Sequence, residues 1–427
     1  MRDNVLVFPA ESGCDIYRAL RYNVHFDVFG ASGKNDHAEF VYPQNKLFIS
    51  KGLYITNPDF VKNMNELISK WNIKFIIPSH DTIAKILMQN EDKINCTIIC
   101  SPLETAEIAE DKYKMYLSLK DSDYYPKVYE NISSDIEFPV FLKPYVAAGG
   151  KGTVKVNSFD ELKKYTAEKK DLLICEYLPG EEYTVDCFTT KNRELAFVGA
   201  RKRERITNGI TYSATQFDLT DEIKNIAADL NKRFKFRGLW WFQLKEDKNN
   251  KLKLMEFSVR HAGTMSFYRQ YGVNFPLLAL FDFMNYEVSI LKNNVKLTLD
   301  RGIETSYRLD YSYDTIYLDY DDTVYTDDKV NLNVIHLIFQ AHNKNKKVVL
   351  LTKHDGDLEE SLMKFHLTKG NFDEIILIKP DSKKSDYIKH ENAIFIDNYF
   401  PERLDVSKKC GIPVFDVDAV ECLIENN

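Results

Sequence analysis

The sequence lacks several features that mark particular protein classes. Its seven cysteines include no CxxC pair, and an odd number argues against a disulfide framework of the kind that staples small secreted domains. No apolar run approaches the length that spans a bilayer, and the apolar stretch near the amino terminus is too short for a signal peptide. We therefore expect a protein of the reducing cytoplasm without a membrane segment.

Basic residues are fewer than acidic residues in this sequence. The 57 Lys and Arg residues are outnumbered by 64 Asp and Glu residues, which leaves a formal net charge of −7. Such a chain has no global attraction to nucleic acid or to an anionic membrane surface, so we expect neither as a partner. Its 427 residues, 44% of them hydrophobic, are too many for one ordinary core and suit two or three domains.

The pattern of secondary structure changes twice along the chain. Residues 1–105 alternate short apolar strands, such as 4–8 and 74–77, with helical stretches, which predicts a mostly parallel α/β sheet. Residues 106–305 contain longer strands and glycine turns, which predict an α+β region with antiparallel hairpins. Residues 312–427 alternate strands and helices again, which predicts a second parallel sheet.

The central region carries residue types that a nucleotide phosphate needs. Lys143 ends a predicted strand, and the glycine-rich turn 149–152 can present consecutive amide groups to phosphate oxygens. Two acids, Glu176 and Glu182, flank a proline-glycine turn, and the segment 255–260 supplies a further acid and an arginine. Taken singly, each motif is more often a solvated strand end, an ordinary turn or an ion pair. Their occurrence together favours a nucleotide site.

In this order the segments resemble the ATP-grasp superfamily, in the carboxylate ligase branch related to carbamoyl phosphate synthase and to amino-acid ligases. The resemblance covers roughly residues 1–300. It implies an N-terminal parallel α/β (pre-ATP-grasp) domain followed by an ATP-grasp α+β domain. It also implies a small carboxylate and an amine as substrates, and a requirement for ATP and Mg²⁺, with Mn²⁺ as an alternative ion.

The resemblance assigns roles to individual residues. Glu256 would be the principal Mg²⁺ ligand, and Arg260 would stabilise the transferred phosphoryl group. Ser258 stands where the family pattern Glu-x-Asn-x-Arg has asparagine, and its hydroxyl is a weaker metal ligand. Arg203 and Arg205 would face the acyl phosphate or the substrate carboxylate. The other residues implied to lie at the nucleotide or beside its metal are Lys112, Lys143, Gly149, Gly150, Lys151, Gly152, Glu176, the backbone of Leu178, Glu182 and Gln243.

Three further charged features leave alternatives open. The run Arg201–Arg205 is typical of a solvated face, and it also suits a local nucleic-acid patch or an anion site. Asp81 follows a predicted strand end, and we interpret it mainly as the cap of the next helix, with a substrate contact as the alternative. His261, beside Arg260, suits a proton shuttle or a substrate contact.

The third region begins with another phosphate-chemistry pattern. The strand 315–318 runs into Asp319-Tyr-Asp321-Asp-Thr323. Alternate side chains of a strand point the same way, so Asp319 and Asp321 can share a hydrated Mg²⁺ and a phosphate. One carboxylate can attack phosphorus while the other moves the proton. Later strand ends add Thr352 and Asp397 to the pattern.

These motifs, in order over about residues 313–420, resemble the haloacid dehalogenase (HAD) superfamily. The resemblance implies a Rossmannoid domain in which Asp319 is the nucleophile and Asp321 the general acid and base. Asn398 stands where a second acid is common in the fourth motif. The stretches between motifs are too short to house a cap domain, so the site would be open. The implied phosphate ligands are Thr352 and Lys384, with Lys383 as the alternative to Lys384, and the implied Mg²⁺ ligands are Asp319, Asp321 and Asp397.

The sequence therefore predicts an ATP-dependent carboxylate–amine ligase fused to a capless HAD-type phosphatase. The phosphatase would remove a phosphate ester from a substrate or product of the ligase. Ser258 and Asn398 leave open that only one domain is catalytic and that the other is a nucleotide- or phosphate-binding module. A nucleotide-sensing scaffold is the alternative outside enzymes. The residues do not fix the oligomeric state, and a homodimer is compatible with them.

Overall fold

The computed structural model describes residues 2–147, 149–168 and 171–425. The chain forms two compact units, residues 1–303 and residues 304–427, called unit 1 and unit 2 below. Each unit contains its own clusters of buried apolar side chains. The start of the chain and the central region share one such cluster in unit 1, since it includes both Leu6 and Trp240.

The first part of unit 1 is an α/β layer. Its strands are β1 (Asp3–Phe8), β2 (Phe26–Ser32), β3 (Leu47–Ile49), β4 (Ile73–Pro78) and β5 (Thr97–Ile98), and its helices are α1 (Cys14–Leu20), α2 (Phe60–Trp71), α3 (Asp81–Gln89), α4 (Leu103–Glu110) and α5 (Lys112–Leu117). The strands pair in parallel in the order β3-β2-β1-β4-β5, which confirms the predicted parallel sheet. Leu6 and Val7 belong to different buried clusters because successive side chains of a strand point to opposite faces.

The rest of unit 1 contains two antiparallel sheets. Its strands are β6 (Val128–Tyr129), β7 (Val140–Pro144), β8 (Val154–Val156), β9 (Leu172–Glu176), β10 (Glu182–Thr189), β11 (Leu195–Thr207), β12 (Ile210–Phe217), β13 (Gly238–Glu246), β14 (Leu252–Ser258) and β15 (Thr298–Asp300), and its helices are α6 (Phe159–Glu168), α7 (Asp221–Arg233), α8 (Ser266–Arg269) and α9 (Phe275–Phe283). The strand orders are β6-β9-β7-β8 and β14-β13-β10-β11-β12-β15. In the second sheet Gln243 lies directly opposite Glu256. Antiparallel hairpins, which the sequence predicts for this region, join β10 to β11 and β13 to β14.

Unit 2 is built around another parallel sheet. Its strands are β16 (Thr315–Leu318), β17 (Tyr325–Thr326), β18 (Lys329–Val330), β19 (Lys347–Thr352), β20 (Glu374–Leu377), β21 (Ala393–Ile396) and β22 (Val414–Phe415), and its helices are α10 (Leu332–Asn343), α11 (Leu358–Lys364) and α12 (Phe400–Cys410). The sheet has the order β20-β19-β16-β21-β22, and β17 and β18 form a separate hairpin. The carboxyl ends of β19, β16 and β21 therefore meet at one edge.

Two further observations concern the chain as a whole. All seven cysteines lie within the described ranges, and they are free. Within the described residues, every helix is too short or too polar to cross a lipid bilayer.

Candidate functional site

Unit 1 contains a cleft of about 430 Å³ whose walls come from both antiparallel sheets. Strand β7 contributes Lys143 from one sheet, and β14 contributes Glu256 from the other. The size lies within the range of small-molecule sites. The cleft brings together many of the residues to which the sequence assigned nucleotide or metal binding: Lys112, Lys143, Gly149, Gly150, Glu182, Arg203, Gln243 and Glu256.

Lys112 connects the acid of the cleft to the glycine-rich loop. Its ammonium lies 3.1 Å from Glu256 Oε2 and donates a hydrogen bond of 2.8 Å to the carbonyl of Ala147. The lysine is the first residue of α5, where Asp111 caps the helix by accepting from two backbone amides. Because the cap fixes the start of the helix, the cation is held beside the loop that was predicted to bind phosphate.

Lys143 is buried between the cleft and a smaller apolar slot that adjoins it. Its ammonium bonds to the hydroxyl of Tyr116 and lies 3.3 Å from the carbonyl of Met255. Burial lowers the pKa of Lys143. Glu176 and Leu178 line the slot rather than the cleft.

Glu182 and Arg203 form an ion pair in the wall of the cleft. Lys245, opposite Glu182 on the neighbouring strand, lies 3.4 Å from the other carboxylate oxygen. Arg203 also donates a hydrogen bond of 2.7 Å to the carbonyl of Gly209, in the turn between β11 and β12. The arginine therefore links Glu182, one of the residues implied to lie at the nucleotide, to that turn.

The basic run in β11 is not a uniformly solvated face. Arg201 and Arg203 are buried, whereas Glu204 is exposed, because alternate residues of a strand face opposite sides. Arg201 is paired with buried Asp186 at 2.7 Å. Arg205 lies outside the cleft and pairs with Asp300 of β15 at 2.9 Å. The role of Arg205 towards the substrate stays a prediction.

Two glycine turns approach each other over the cleft. Gly149 and Gly150 have φ values of 62° and 68°, and Gly209 has a φ of 74°. A Cβ atom on Gly209 would lie 2.8 Å from the carbonyl carbon of Gly149, closer than real Cβ atoms come. Lys151 and Gly152 continue the loop and are exposed, and Ala148 lies outside the described residues.

A smaller pocket of about 90 Å³ adjoins the cleft at Glu256, with Asp81, Ser258 and Arg260 in its wall. Asp81 Oδ1 accepts a hydrogen bond from the Ser258 hydroxyl, and Oδ2 accepts one of 2.9 Å from Arg260 Nε. The guanidinium also lies 5.3 Å from the centre of the Trp241 ring. Arg260 is thus held by a residue of the first α/β layer.

The interpretation of Asp81 as a helix cap is wrong. The cap of α3 is His80, whose Nδ1 accepts a hydrogen bond of 3.3 Å from the amide of Thr82. Burial by itself would raise the pKa of Asp81, but Arg260 and the Ser258 hydroxyl lower it overall. Asp81 and Ser258 are 177 positions apart, so no local pattern could have paired them.

His261, predicted as a proton shuttle or a substrate contact, is a buried side chain. Burial lowers its pKa to about 4, so the imidazole is neutral at pH 7. The cleft and the adjoining pocket are lined by other residues. Among the described residues, His261 therefore stands apart from both cavities.

The donor set of the cleft fits Mg²⁺. Among the described residues, no three His, Cys, Asp or Glu side chains are grouped so that they alone could hold a metal ion. Mg²⁺ sites beside phosphates commonly use one or two carboxylates and complete their shell with phosphate oxygens and water. Glu256, opposite the amide of Gln243, supplies this kind of ligand.

Unit 2 places Asp319, Thr352 and Asp397 at the ends of its three adjacent strands β16, β19 and β21. Lys384 joins the two acids, with its Nζ 2.5 Å from Asp319 Oδ1 and 2.6 Å from Asp397 Oδ2. Lys384 is buried whereas Lys383 is exposed, so Lys384 is the lysine of this cluster.

Burial is the largest influence on the pKa values of the acids in this cluster. It raises the pKa of both Asp319 and Asp397 despite the attraction of the ammonium. Burial by itself would lower the pKa of Lys384, but the two carboxylates raise it overall. Two carboxylates converging on one cation are a donor set that a hard metal ion accepts, so the residues present fit Mg²⁺.

The hydroxyl of Thr352 is buried and has no hydrogen-bond partner among the described residues. A buried polar atom without a partner is costly, and a water molecule or a ligand oxygen bound at this hydroxyl would offset that cost. Thr323 lies beside Asp319, with its Oγ1 3.4 Å from Asp319 Oδ2, and it accepts a hydrogen bond of 3.2 Å from the amide of Asn398.

Asp321 has two partners that the sequence reasoning missed. Its Oδ1 accepts a hydrogen bond of 2.7 Å from the Tyr325 hydroxyl and lies 2.7 Å from His354 Nδ1. The only local sign was the position of His354, two residues beyond Thr352 and hence at the same end of β19.

A known protein family matches part of unit 1. Residues 168–300 match the family described as "ATP-grasp in the biosynthetic pathway with Ter operon". No curated protein matches the chain.

Several solved structures share the fold at low sequence identity. The biotin carboxylase domain of Hydrogenobacter thermophilus 2-oxoglutarate carboxylase, a dimer in complex with MgADP, ADP and bicarbonate, is 15% identical with a TM-score of 0.56, over 68% of this chain and 72% of that one. N5-carboxyaminoimidazole synthetase from Staphylococcus aureus, complexed with ADP, is 16% identical with a TM-score of 0.55, over 69% and 80%. An L-amino acid ligase from Bacillus licheniformis is 13% identical with a TM-score of 0.53, over 66% and 73%.

Proposed function

This chain carries an ATP-grasp fold, and from that premise we propose that unit 1 is an ATP-dependent ligase that joins a small carboxylate to an amine. The observation that carries the proposal is the cleft that gathers Lys112, Lys143 and Glu256 around a glycine-rich loop. Cations, a carboxylate and exposed backbone amides are the parts that phosphoryl transfer from ATP requires. The seven free cysteines suit the cytoplasm as its location.

Each part of the site has a task in this proposal. The apolar slot beside Lys143 takes the adenine, and the loop at Gly149 covers the phosphates. Glu256 and Gln243 would hold Mg²⁺, which neutralises phosphate charge when it is bound. The pocket at Arg260 takes the carboxylate substrate, because it adjoins the cleft at Glu256.

The chemistry follows from this arrangement. A carboxylate oxygen attacks the γ-phosphorus of ATP, and the bond to ADP breaks, giving an acyl phosphate. The cationic side chains Lys112 and Arg260 favour this step because negative charge concentrates between the two substrates. The amine then attacks the acyl carbon, inorganic phosphate leaves, and the amide remains after loss of a proton.

A substitution of Glu256 tests this proposal. Glu256→Gln keeps the shape of the side chain and removes its charge, so we expect the Kd of MgADP, measured by calorimetry, to rise at least tenfold. Glu222→Gln, on the exposed side of α7, is the matched control and should not change the Kd. Failure of the wild-type protein to bind MgADP, or equal binding by the Glu256 variant, contradicts the assignment.

For unit 2 we propose a capless phosphatase of the HAD type. The supporting observation is the buried set of Asp319, Lys384 and Asp397 next to the orphan hydroxyl of Thr352. Asp319 attacks the phosphorus of a phosphate monoester, and Asp321 gives a proton to the leaving oxygen. Asp319 and Asp397 would hold Mg²⁺, whose charge offsets their repulsion of the phosphate when it is bound.

Hydrolysis of p-nitrophenyl phosphate with MgCl₂ tests the phosphatase. We expect Asp319→Asn to lower kcat at least a thousandfold, since the nucleophile is lost. Asp328→Asn, an exposed acid of the same unit, and Glu256→Gln of unit 1 are controls that should keep the rate. A wild-type protein without Mg²⁺-dependent turnover, or an Asp319 variant that retains it, contradicts the proposal.

The fusion suggests that one substrate of the ligase carries a phosphate ester that Asp319 removes before or after ligation. With ATP and a panel of phosphorylated amines and carboxylates, Asp319→Asn should then accumulate a phosphorylated amide if removal follows ligation, or retain the unligated phosphorylated substrate if removal precedes it, whereas the wild type should do neither. If only one unit is catalytic, the wild type will show either ADP release with these substrates or hydrolysis of the phosphate ester, but not both. That outcome favours a binding role for the other unit.

A further inference from the structure

The acid Asp321 is held by two side chains to which the HAD resemblance assigned no role. The Tyr325 hydroxyl and His354 Nδ1 both lie 2.7 Å from its Oδ1. The Asp321 side chain is 39% exposed, whereas that of His354 is 9% exposed. A partly exposed carboxylate would ordinarily rotate. The Tyr325 hydroxyl and His354, in the tautomer that carries its proton on Nδ1, both donate to Oδ1, so they fix the plane of the carboxylate and leave Oδ2 for a substrate.

The two donors are themselves fixed by packing. The His354 ring meets the fully buried ring of Tyr320 edge-on, with centroids 5.2 Å apart. The Tyr320 hydroxyl is 3.0 Å from Ser361 Oγ on α11. The Tyr325 ring stacks on Phe365 with centroids 4.3 Å apart. Supporting contacts of this kind hold a side chain in one orientation.

We propose that His354 and Tyr325 are positioning residues, which orient Asp321 so that its Oδ2 delivers a proton to the leaving oxygen. This inference rests on the phosphatase proposed for unit 2. An Asp319 oxygen bonds to phosphorus, the ester P–O bond breaks, and the proton of Asp321 passes to the released oxygen. Water then attacks phosphorus, its proton passes to Asp321, and the bond between Asp319 and phosphorus breaks to free phosphate.

Phosphate esters whose leaving groups differ in basicity test whether the two residues support proton delivery. A p-nitrophenolate ion leaves without a proton, whereas a phenolate ion is more basic and gains from one. The value of kcat/KM reports the first irreversible step, in which the ester bond breaks. A loss of proton delivery therefore lowers kcat/KM for phenyl phosphate much more than for p-nitrophenyl phosphate.

The experiment compares the two esters in the full-length protein with MgCl₂. For His354→Leu, which removes the donor, we expect kcat/KM to fall about 100-fold with phenyl phosphate and less than threefold with p-nitrophenyl phosphate. His354→Asn places an amide N–H near the former Nδ1 and should recover most of the loss. Asp321→Asn should show the same selective loss, and Tyr325→Phe a smaller one in the same direction.

Controls separate this role from a structural one. His336→Leu changes an exposed histidine on α10 and should alter neither ester. The Kd of inorganic phosphate, measured by calorimetry, should be the same for His354→Leu and the wild type. An equal loss with both esters, or no loss with either, overturns the inference while the phosphatase stands. A wild-type protein that hydrolyses neither ester contradicts the phosphatase and this inference with it.

Discussion

At the scale of single residues, Asp81 joins two regions that lie far apart in the sequence. Its carboxylate, at the start of α3, accepts hydrogen bonds from Ser258 and Arg260 at the end of β14. Ser258 occupies the position where the resembled family has asparagine, and here its hydroxyl is used by Asp81. The aspartate therefore fixes the direction of the Arg260 guanidinium.

Replacement of Asp81 by asparagine should lower the ligase turnover rate and leave nucleotide binding nearly unchanged. Asp81→Asn keeps the size of the side chain but removes the charge opposite Arg260, so the guanidinium loses its anchor. We expect the Kd of MgADP to change less than threefold, since the larger part of the cleft is intact. Ligase kcat, followed by ADP release with the substrate pair found active, should fall at least tenfold.

The matched control is Asp59→Asn, an exposed acid of the same layer, which should change neither quantity. Equal loss of MgADP binding and turnover would show that Asp81 supports the fold rather than Arg260.

His261 makes the stability of unit 1 depend on pH. Burial, reinforced by nearby arginines, lowers its pKa from 6.5 to about 4, although Asp15 acts in the opposite direction. Between those values the unfolded state takes up a proton that the folded state does not, so stability falls as the pH drops from 6.5 towards 4. The full contribution is about 3 kcal/mol.

The variant His261→Gln has no imidazole that could take up this proton. We expect the free energy of unfolding of the variant to fall about 3 kcal/mol less than that of the wild type between pH 7 and pH 4. Urea titrations followed by tryptophan fluorescence measure it, because Trp71, Trp240 and Trp241 all lie in unit 1. His37→Gln, an exposed histidine, is the control. Parallel pH curves for wild type and His261→Gln would contradict the assignment.

At the scale of elements, strands with a continuous apolar pattern could be predicted from the sequence. Strand β1, for example, spans Asp3–Phe8 where residues 4–8 were predicted. The end of β11 and all of β12 lack such a pattern, because residues 202–217 are largely polar. Such a strand is stabilised by pairing with its neighbours, which a local apolar pattern does not reveal.

The same distinction applies to the candidate site. Residues carried by motifs, such as Lys143 and Glu256, could be found because each motif is continuous in the sequence. The contacts of Asp81 with Ser258 and of His354 with Asp321 join distant segments, so no local pattern could pair these residues.

The hairpin turn at Gly209 should be sensitive to one added methyl group. Its Cβ would overlap the backbone at Gly149, so Gly209→Ala must push the turn away from the glycine loop. We expect the Kd of MgADP to rise at least fivefold. Gly238→Ala is the matched control, because Gly238 has the same φ of 74° but only ordinary contacts, at 3.5 Å and beyond.

Both variants share the strain of a non-glycine residue at positive φ, about 1–2 kcal/mol. Only the Gly209 variant should lose affinity. Equal affinities would mean that the turn does not shape the nucleotide site.

At the scale of the whole molecule, the two units carry separate buried clusters and separate sets of candidate residues. The fold of unit 1 could be inferred from ordered motifs and is matched by solved structures. The HAD assignment of unit 2 stays a proposal that rests on motifs and on the geometry around Lys384. Substrate identity depends on the pocket walls, and their residues lie at separate places along the chain.

Ligand binding should stabilise unit 1 measurably. MgADP at about 100 times its Kd should raise the free energy of unfolding by about 2.7 kcal/mol, since only the folded state binds it. The tryptophan fluorescence transition in urea is the measurement, and it reports unit 1 alone. Glu256→Gln should show a smaller increase at the same MgADP concentration. An unchanged wild-type transition would contradict nucleotide binding by this unit.

The cleft and the pocket at Arg260 meet at Glu256, yet they draw their outer walls from different parts of unit 1. His80 and Thr82, at the start of α3, border the pocket and not the cleft. If the proposed function holds, exchanging a few side chains on one helix would change which carboxylate the pocket selects. The residues of the cleft proposed to bind the nucleotide would stay the same.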